Sequence, residues 1–347
     1  MVQSQQPTIW GLGITFSIIA ILAVLLRFQA RRIKGQKLES DDWTIFVALI
    51  LGIAVTIDII IMTQRGGLGT HAQYDNDGNP LDPGAIVIFG KTTYALELLT
   101  WPAVGMTKIS VLLMYKRIFT SPRFKTIAWI LIGLIIAWTI TFTFALMFSC
   151  TPIASQWDFD LEFTCVNQKA LFTSALATDV ATDFLVLFLP IYKTWQLQMP
   201  FTRKILIMCI FLLGGLVSIV GIIRIHFLTQ VYSVLDDSPE SDTTWIYAPV
   251  FYWTIVETNV GVLSACLPTL RPIQECAIRN LSFSRLRSSA QYLLSPSSGK
   301  ESGIRLSSME EGLNPDSVEA SRTSKQPRTF RLFQIFNSKE YQHRLRA

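Results

Sequence analysis

The sequence predicts an all-α integral membrane protein, a bundle of seven transmembrane helices with its N-terminus outside and its C-terminus in the cytosol. Three observations carry that prediction. Half of the 347 residues are hydrophobic and only 16% are charged, whereas soluble domains carry about 25% charged residues. Seven stretches are apolar over the ~20 residues that a helix needs to cross a ~30 Å hydrocarbon core. The connections between those stretches alternate between basic and acidic.

The spans fall at residues 8–26, 43–64, 86–115, 127–148, 170–192, 205–228 and 245–267. No basic residue precedes the first, and Arg27, Arg31 and Arg32 follow it directly, so it reads as a membrane span and not as a cleaved signal peptide. The third is the most interrupted, by Lys91, Glu97 and Lys108. It also holds Trp101-Pro102, where the missing N–H is expected to kink the helix. Mean hydropathy over the whole chain is +0.39.

Orientation follows from the basic residues. The first, third and fifth connections hold twelve of them: Arg27, Arg31, Arg32, Lys34, Lys37, Lys116, Arg117, Arg123, Lys125, Lys193, Arg203 and Lys204. The N-terminus and the even connections hold only Arg65 and Lys169. The positive-inside rule places the odd connections in the cytosol, and an odd number of spans sends the C-terminus there too. The outer connections are acidic, through Asp75, Asp77 and Asp82, then Asp158, Asp160 and Glu162, then Asp236, Asp237, Glu240 and Asp242. The sequon at Asn280-Leu281-Ser282 falls on the cytosolic side and is expected to stay unmodified.

Cys150 and Cys165 share the second outer connection. That side is oxidising, so a disulfide is expected to close a short loop over the mouth of the bundle, the alternative being two free thiols. Cys209, Cys266 and Cys276 are expected to stay reduced. The glycines of Gly66-Gly67-Leu68-Gly69, after the second span, suit a tight turn of positive φ. Neither a preceding strand nor a following Lys-Ser/Thr makes this run a phosphate cradle.

Charges inside the spans carry the functional information, because an ionisable group in hydrocarbon is expensive and faces the bundle interior with a partner. The candidates are Asp58, Glu97, Lys108, Asp179, Asp183, Arg224 and Glu257, with Lys91 nearer the outer surface. Asp179 and Asp183 are four residues apart and share one helix face. At 1.5 Å of rise per residue, Lys108 and Asp183 both lie about 12 Å from the inner surface. Asp58 and Arg224 sit in the outer third, and Glu97, Asp179 and Glu257 near mid-depth. Lys108–Asp183 and Asp58–Arg224 pairs are therefore expected. These groups read either as interhelical glue or as the lining of a ligand pocket or ion path. Trp101, Trp138 and Trp253 lie deep enough to line a cavity. Other aromatics near span ends fit the interfacial belt.

The order of these features resembles the fungal rhodopsin-like integral membrane proteins, which include Pth-type receptor-like proteins and a membrane protein of the satratoxin cluster. The matching residues begin with Asp41-Asp42-Trp43 before the second span, and Gly67-Leu68-Gly69 with His71 after it. Lys108, Ser110 and Tyr115-x-Arg117-Ile118-Phe119 close the third span. Cys150-x-Pro152, Trp157, Cys165, Asp179, Asp183 and Leu189-Pro190 follow. Gly215, Arg224, Trp253, Glu257 and Cys266-Leu267-Pro268-Thr269-Leu270-Arg271-Pro272 complete the set. The likeness covers residues 8–272 and implies a seven-helix fold, a fungal source and a receptor-like role. Pth-type receptors carry a cysteine-rich domain before the first span, which this sequence does not show.

Several chemistries are excluded. A retinal protein needs a lysine in its last span for the Schiff base, and residues 245–270 contain none. His71, His226 and His343 are too few and too scattered for a histidine metal site, and no C-x-x-C pattern occurs. No metal or other cofactor is expected. The net charge of +5 and pI near 8.9 belong to residues flanking apolar runs, so the partner they imply is the bilayer and not nucleic acid.

Residues 1–272 thus read as the membrane domain and 273–347 as a disordered, serine-rich basic tail. The tail holds Arg285-Leu286-Arg287-Ser288 and Arg322-Thr323-Ser324, which suit phosphorylation. Its aromatic and basic stretch at 330–336 suits the inner leaflet. The leading expectation is a receptor-like protein of the plasma membrane, not an enzyme, with an unknown small-molecule ligand and, by analogy of fold, a cytosolic signalling partner. The alternatives are a small-molecule or proton-coupled transporter, against which no internal repeat is visible, and a membrane-embedded enzyme of secondary metabolism.

Overall fold

The computed structural model describes residues 4–33, 35–71, 82–119, 121–158, 161–195, 201–237 and 242–269, with the backbone alone at 191–195, 201–210 and 236–237. The tail expected over 273–347 lies outside the described residues, as do Lys34, Asp75, Asp77, Asp160, Glu240 and Cys276 and the side chains of Lys193, Arg203, Lys204, Cys209, Asp236 and Asp237.

Among the described residues, seven helices are long and apolar enough to cross a membrane. In chain order the elements are α1 (Gln6–Ile33), α2 (Ser40–Arg65), α3 (Pro83–Ile118), α4 (Pro122–Met147), strands β1 (Cys150–Thr151) and β2 (Thr164–Cys165), α5 (Gln168–Trp195), α6 (Phe201–Asp237), a single turn α7 (Thr243–Ile246) and α8 (Ala248–Cys266). Together α7 and α8 form the seventh span. Several helices overshoot the apolar windows. α1 continues through Arg27, Arg31 and Arg32, because hydropathy marks the lipid-facing stretch and not the end of the hydrogen-bond ladder. α3 has 36 residues and is on the order of 54 Å long at 1.5 Å per residue. Pro102 sits inside α3 without ending it.

Local sequence sets the ends. Glu39 and Asp42 form a capping box at the start of α2. Asp82 accepts from the Ala85 N–H at 3.2 Å, with Pro83 opening α3. After α2, Gly67 and Gly69 take φ of 71° and 78°, a conformation that glycine adopts without a Cβ penalty. This turn stitches one end of the bundle together: Gln5 N–H donates to Gly69 O at 2.9 Å, and Gly69 N–H to Thr244 O at 3.0 Å.

α3 and α8 form the centre. Of their most apolar windows, 61% and 72% of residues are buried, against 22% in α4 and 22% in α6. α8 packs on α1, α2, α3 and α6, and α3 on α2 and α4. Large apolar side chains such as Ile18, Leu22, Ile57, Ile130, Leu134 and Phe188 face outward, as a lipid-facing surface requires.

Candidate functional site

Beneath the end that carries Cys150 and Cys165 lies a cavity of about 580 Å³. Its cover is the connection between α4 and α5. β1 and β2 pair antiparallel with Cys150 opposite Cys165, and the two cysteines are joined as a disulfide. The loop they enclose presses on α3, where Gly90 meets the Trp157 backbone. A Cβ at that position would stand 2.9 Å from Trp157 Cα, so only a residue without one lets the cover seat.

The cavity runs down α3 from Ile86 to Trp101, roughly 22 Å of helix. Phe89, Tyr94, Phe172, Tyr247 and Phe251 supply apolar wall, and Gln156, Gln168 and Tyr232 supply polar points. Glu97 faces it partway down.

Its floor is Arg224, which is held in an ion pair. Arg224 Nη1 donates to Glu257 Oε2 at 2.6 Å, joining α6 to α8, and both residues are buried. The guanidinium also stands 5.9 Å from the Trp101 ring, and Trp101 packs edge-on against Trp138. Arg224 Nε, Trp101 Nε1 and Glu257 Oε1 have no protein hydrogen-bond partner.

The expected Asp58–Arg224 pair does not form. Arg224 pairs with Glu257, and Asp58 Oδ2 is buried without a hydrogen bond. Depth places two residues at one level of the membrane but does not say which helices are neighbours. Here α6 packs on α8, and Arg224 meets the carboxylate that helix presents.

Lys108 does meet Asp183, at 2.9 Å, and equally Asp179 Oδ1 at 2.9 Å. Its ammonium also donates to Asp179 O at 2.7 Å and Thr182 Oγ1 at 2.8 Å. The helical spacing of Asp179, Thr182 and Asp183 turns all three toward α3. The ammonium also lies 5.3 Å from the Trp138 ring.

A further cluster at the opposite end went unassigned in the sequence, where Arg27 counted toward orientation and against a cleaved signal peptide. Arg27 is fully buried. It donates to Asp42 Oδ1 at 2.8 Å, Asp41 Oδ2 at 2.6 Å and Ala265 O at 2.8 Å. Arg31 binds the same two carboxylates at 3.2 and 2.6 Å, and Ser110 donates to Asp41 O at 2.8 Å. Arg117 reaches Glu39 at 3.2 Å. The cluster ties α1, α2, α3 and α8 where they converge. The adjacent Asp41-Asp42 pair at a helix start, 14 residues after Arg27, was the available signal.

Among the described residues no three His, Cys, Asp or Glu side chains converge to hold a metal ion.

A seven-helix membrane bundle with a covered aromatic cavity and a charged floor defines the class of protein. The chain matches the family model of the fungal rhodopsin domain over residues 26–275 and belongs to that family. It is similar to the polyenoic acids biosynthesis gene cluster protein Ba17b of Metarhizium anisopliae, at 28% identity over 75% of this chain and 71% of the relative. The SAT4 family membrane protein of Emericella nidulans is 30% identical over 61% of this chain and 51% of its own length. Receptor GIN3 of Arthrobotrys oligospora is 23% identical over 77% of this chain and 62% of its own length.

Proposed function

We propose that this protein is a receptor-like membrane protein that binds an amphipathic small molecule in the cavity beneath the Cys150–Cys165 loop. The cavity carries the reading. Its 580 Å³ lies within the ~300–1,000 Å³ of small-molecule sites, and mostly apolar walls with a few placed polar groups are their usual lining. The wall matches an unsaturated apolar body. Its charged lining is one carboxyl group, Glu97, and one guanidinium, Arg224, which Glu257 already engages from below, so it favours a ligand end that donates hydrogen bonds over a carboxylate. The kinship with a protein named as a receptor supports the same reading. Orientation with the cavity mouth outward, residence in the plasma membrane and a cytosolic partner near residues 273–347 belong to this proposal, as does binding without turnover.

The test uses the full-length protein in lipid nanodiscs and one unsaturated chain ended in an amine, a hydroxyl or a carboxylate. Binding is read as a change in tryptophan fluorescence. The amine or hydroxyl form is expected to bind, and Glu97→Gln to weaken it at least tenfold. No saturable binding by any member, or binding indifferent to Glu97→Gln, would count against the proposal.

A second reading, a carrier, draws on the polar groups that continue below the floor to Lys108. Proteoliposome uptake that Asp183→Asn abolishes in a folded protein would favour it.

A further inference from the structure

Below the Arg224–Glu257 pair lies a smaller cavity of about 70 Å³, where one water needs only about 10–15 Å³ of such space. Its polar wall consists almost entirely of acceptors. Thr107, Thr258 and Ser264 line it. Their hydroxyl hydrogens already go to the carbonyls of Ala103, Thr254 and Gly261, at 2.9, 2.9 and 2.7 Å, which leaves lone pairs. Lys108 shares its three hydrogens among Asp179 O, Asp179 Oδ1, Thr182 Oγ1 and Asp183 Oδ1. The Tyr115 hydroxyl is the other donor on the wall.

Two anionic oxygens remain. Asp183 Oδ2 and Glu257 Oε1 have no protein partner, on residues that are 9% and 2% exposed and border this cavity. The charges around it do not balance either: among the described residues, Asp179, Asp183 and Glu257 pair with Lys108 and Arg224. A buried carboxylate oxygen without a partner is costly, and an acceptor-lined space beside two of them is the surrounding that a hard cation takes.

We propose that this cavity binds a small alkali cation, sodium or potassium, through Asp183 Oδ2, Glu257 Oε1 and the hydroxyl oxygens of Thr107, Thr258 and Ser264. The ligand set falls short of the three convergent carboxylate, histidine or cysteine groups of a metal cluster, which suits a single charge. The site is separate from the larger cavity and stands whatever that cavity binds.

The experiment is thermal unfolding of the full-length protein in nanodiscs, with sodium, potassium and choline chlorides compared at constant ionic strength. Sodium or potassium is expected to raise the melting temperature saturably, by on the order of 5 °C, and choline is not. Asp183→Asn is expected to abolish the rise. Thr258→Val, which keeps shape and removes one oxygen, is expected to move the midpoint of the cation response several-fold higher, read against that variant's own melting temperature in choline. Equal melting in all three salts would overturn the proposal, as would a response that survives Asp183→Asn. If Asp183→Asn does not fold, Thr258→Val decides, and an unmoved midpoint overturns the proposal. Melting that tracks pH in choline but ignores sodium and potassium would assign the balancing charge to a proton and overturn it as well.

Discussion

Arg224 and Glu257 meet at 2.6 Å across the α6–α8 boundary, Arg224 on the wall of the larger cavity and Glu257 on that of the smaller. Each charge is tolerated in the interior because the other is present. Removing one partner of a buried pair strands the other and typically costs 3–5 kcal/mol, whereas replacing both with apolar groups is often close to neutral. Arg224→Leu alone is therefore expected to lower stability by roughly 3–5 kcal/mol. Arg224→Leu combined with Glu257→Leu is expected to recover most of that loss. Denaturation of the three proteins in detergent measures both, and a double variant as weak as the single would show that the pair was not the cause.

At the other end, Arg27 uses all three guanidinium nitrogens, on Asp42, Ala265 O and Asp41. A lysine keeps the charge but not the planar fork. Arg27→Lys is expected to cost about 2 kcal/mol or more, while Arg32→Ala, at an exposed position of the same helix, is expected to stay within about 0.5 kcal/mol. Melting temperatures of the two variants give the comparison. Equal effects would mean that the fork is not used.

These two clusters show what the sequence could convey. The seven spans were legible because each is predominantly apolar over the ~20 residues a crossing needs, the third despite its charges, and the Lys108–Asp183 contact was legible because both residues lie at one depth on helices that prove adjacent. The Asp58–Arg224 expectation failed although the depths agreed. Depth is local information along one helix, whereas adjacency is decided by packing of the whole bundle, which places α8 and not α2 beside α6. The Arg27 cluster was hidden for a different reason. Arginines after a span are expected on topological grounds alone, so the one mark of their burial is the adjacent Asp41-Asp42 pair at the start of α2. The cavity was invisible as a volume: of Trp101, Trp138 and Trp253, all deep enough to line one, Trp101 lines it and the other two do not.

Gly90 sets how closely the loop covers the cavity. A methyl group there would lie 2.9 Å from Trp157 Cα and 3.0 Å from Gln156 O, both backbone atoms that cannot swing aside. Gly90→Ala is expected to destabilise by about 1–3 kcal/mol through overpacking. Gly11→Ala, which meets nothing within 4 Å, is expected to be neutral or slightly stabilising through helix propensity. Thermal unfolding of the pair separates a steric effect from a general intolerance of alanine.

The Cys150–Cys165 bridge closes a loop with a sequence separation of 15. Chain entropy alone assigns such a loop about 3 kcal/mol. Replacing both cysteines by serine is expected to lower stability by about that amount, and dithiothreitol is expected to shift wild-type melting in the same direction without affecting the variant. A reductant effect of equal size on both proteins would place its origin elsewhere.

The family's name invites a test with retinal, and the lysines decide the expectation. A Schiff base forms when an unprotonated amine attacks the aldehyde. α8, in the seventh span, contains no lysine. Lys108 is buried, and its ammonium is held between Asp179 and Asp183 with the Asp179 carbonyl and Thr182 hydroxyl as further acceptors, so its lone pair is not free to attack. Lys91 is exposed on α3 and lines neither of the two cavities described. Incubating the protein with all-trans-retinal is therefore expected to give no red-shifted absorption band. Borohydride reduction is expected to leave no adduct on Lys108 that peptide mass spectrometry can detect. A reducible adduct at Lys108 would mean that the bundle opens around that triad far more readily than its packing implies.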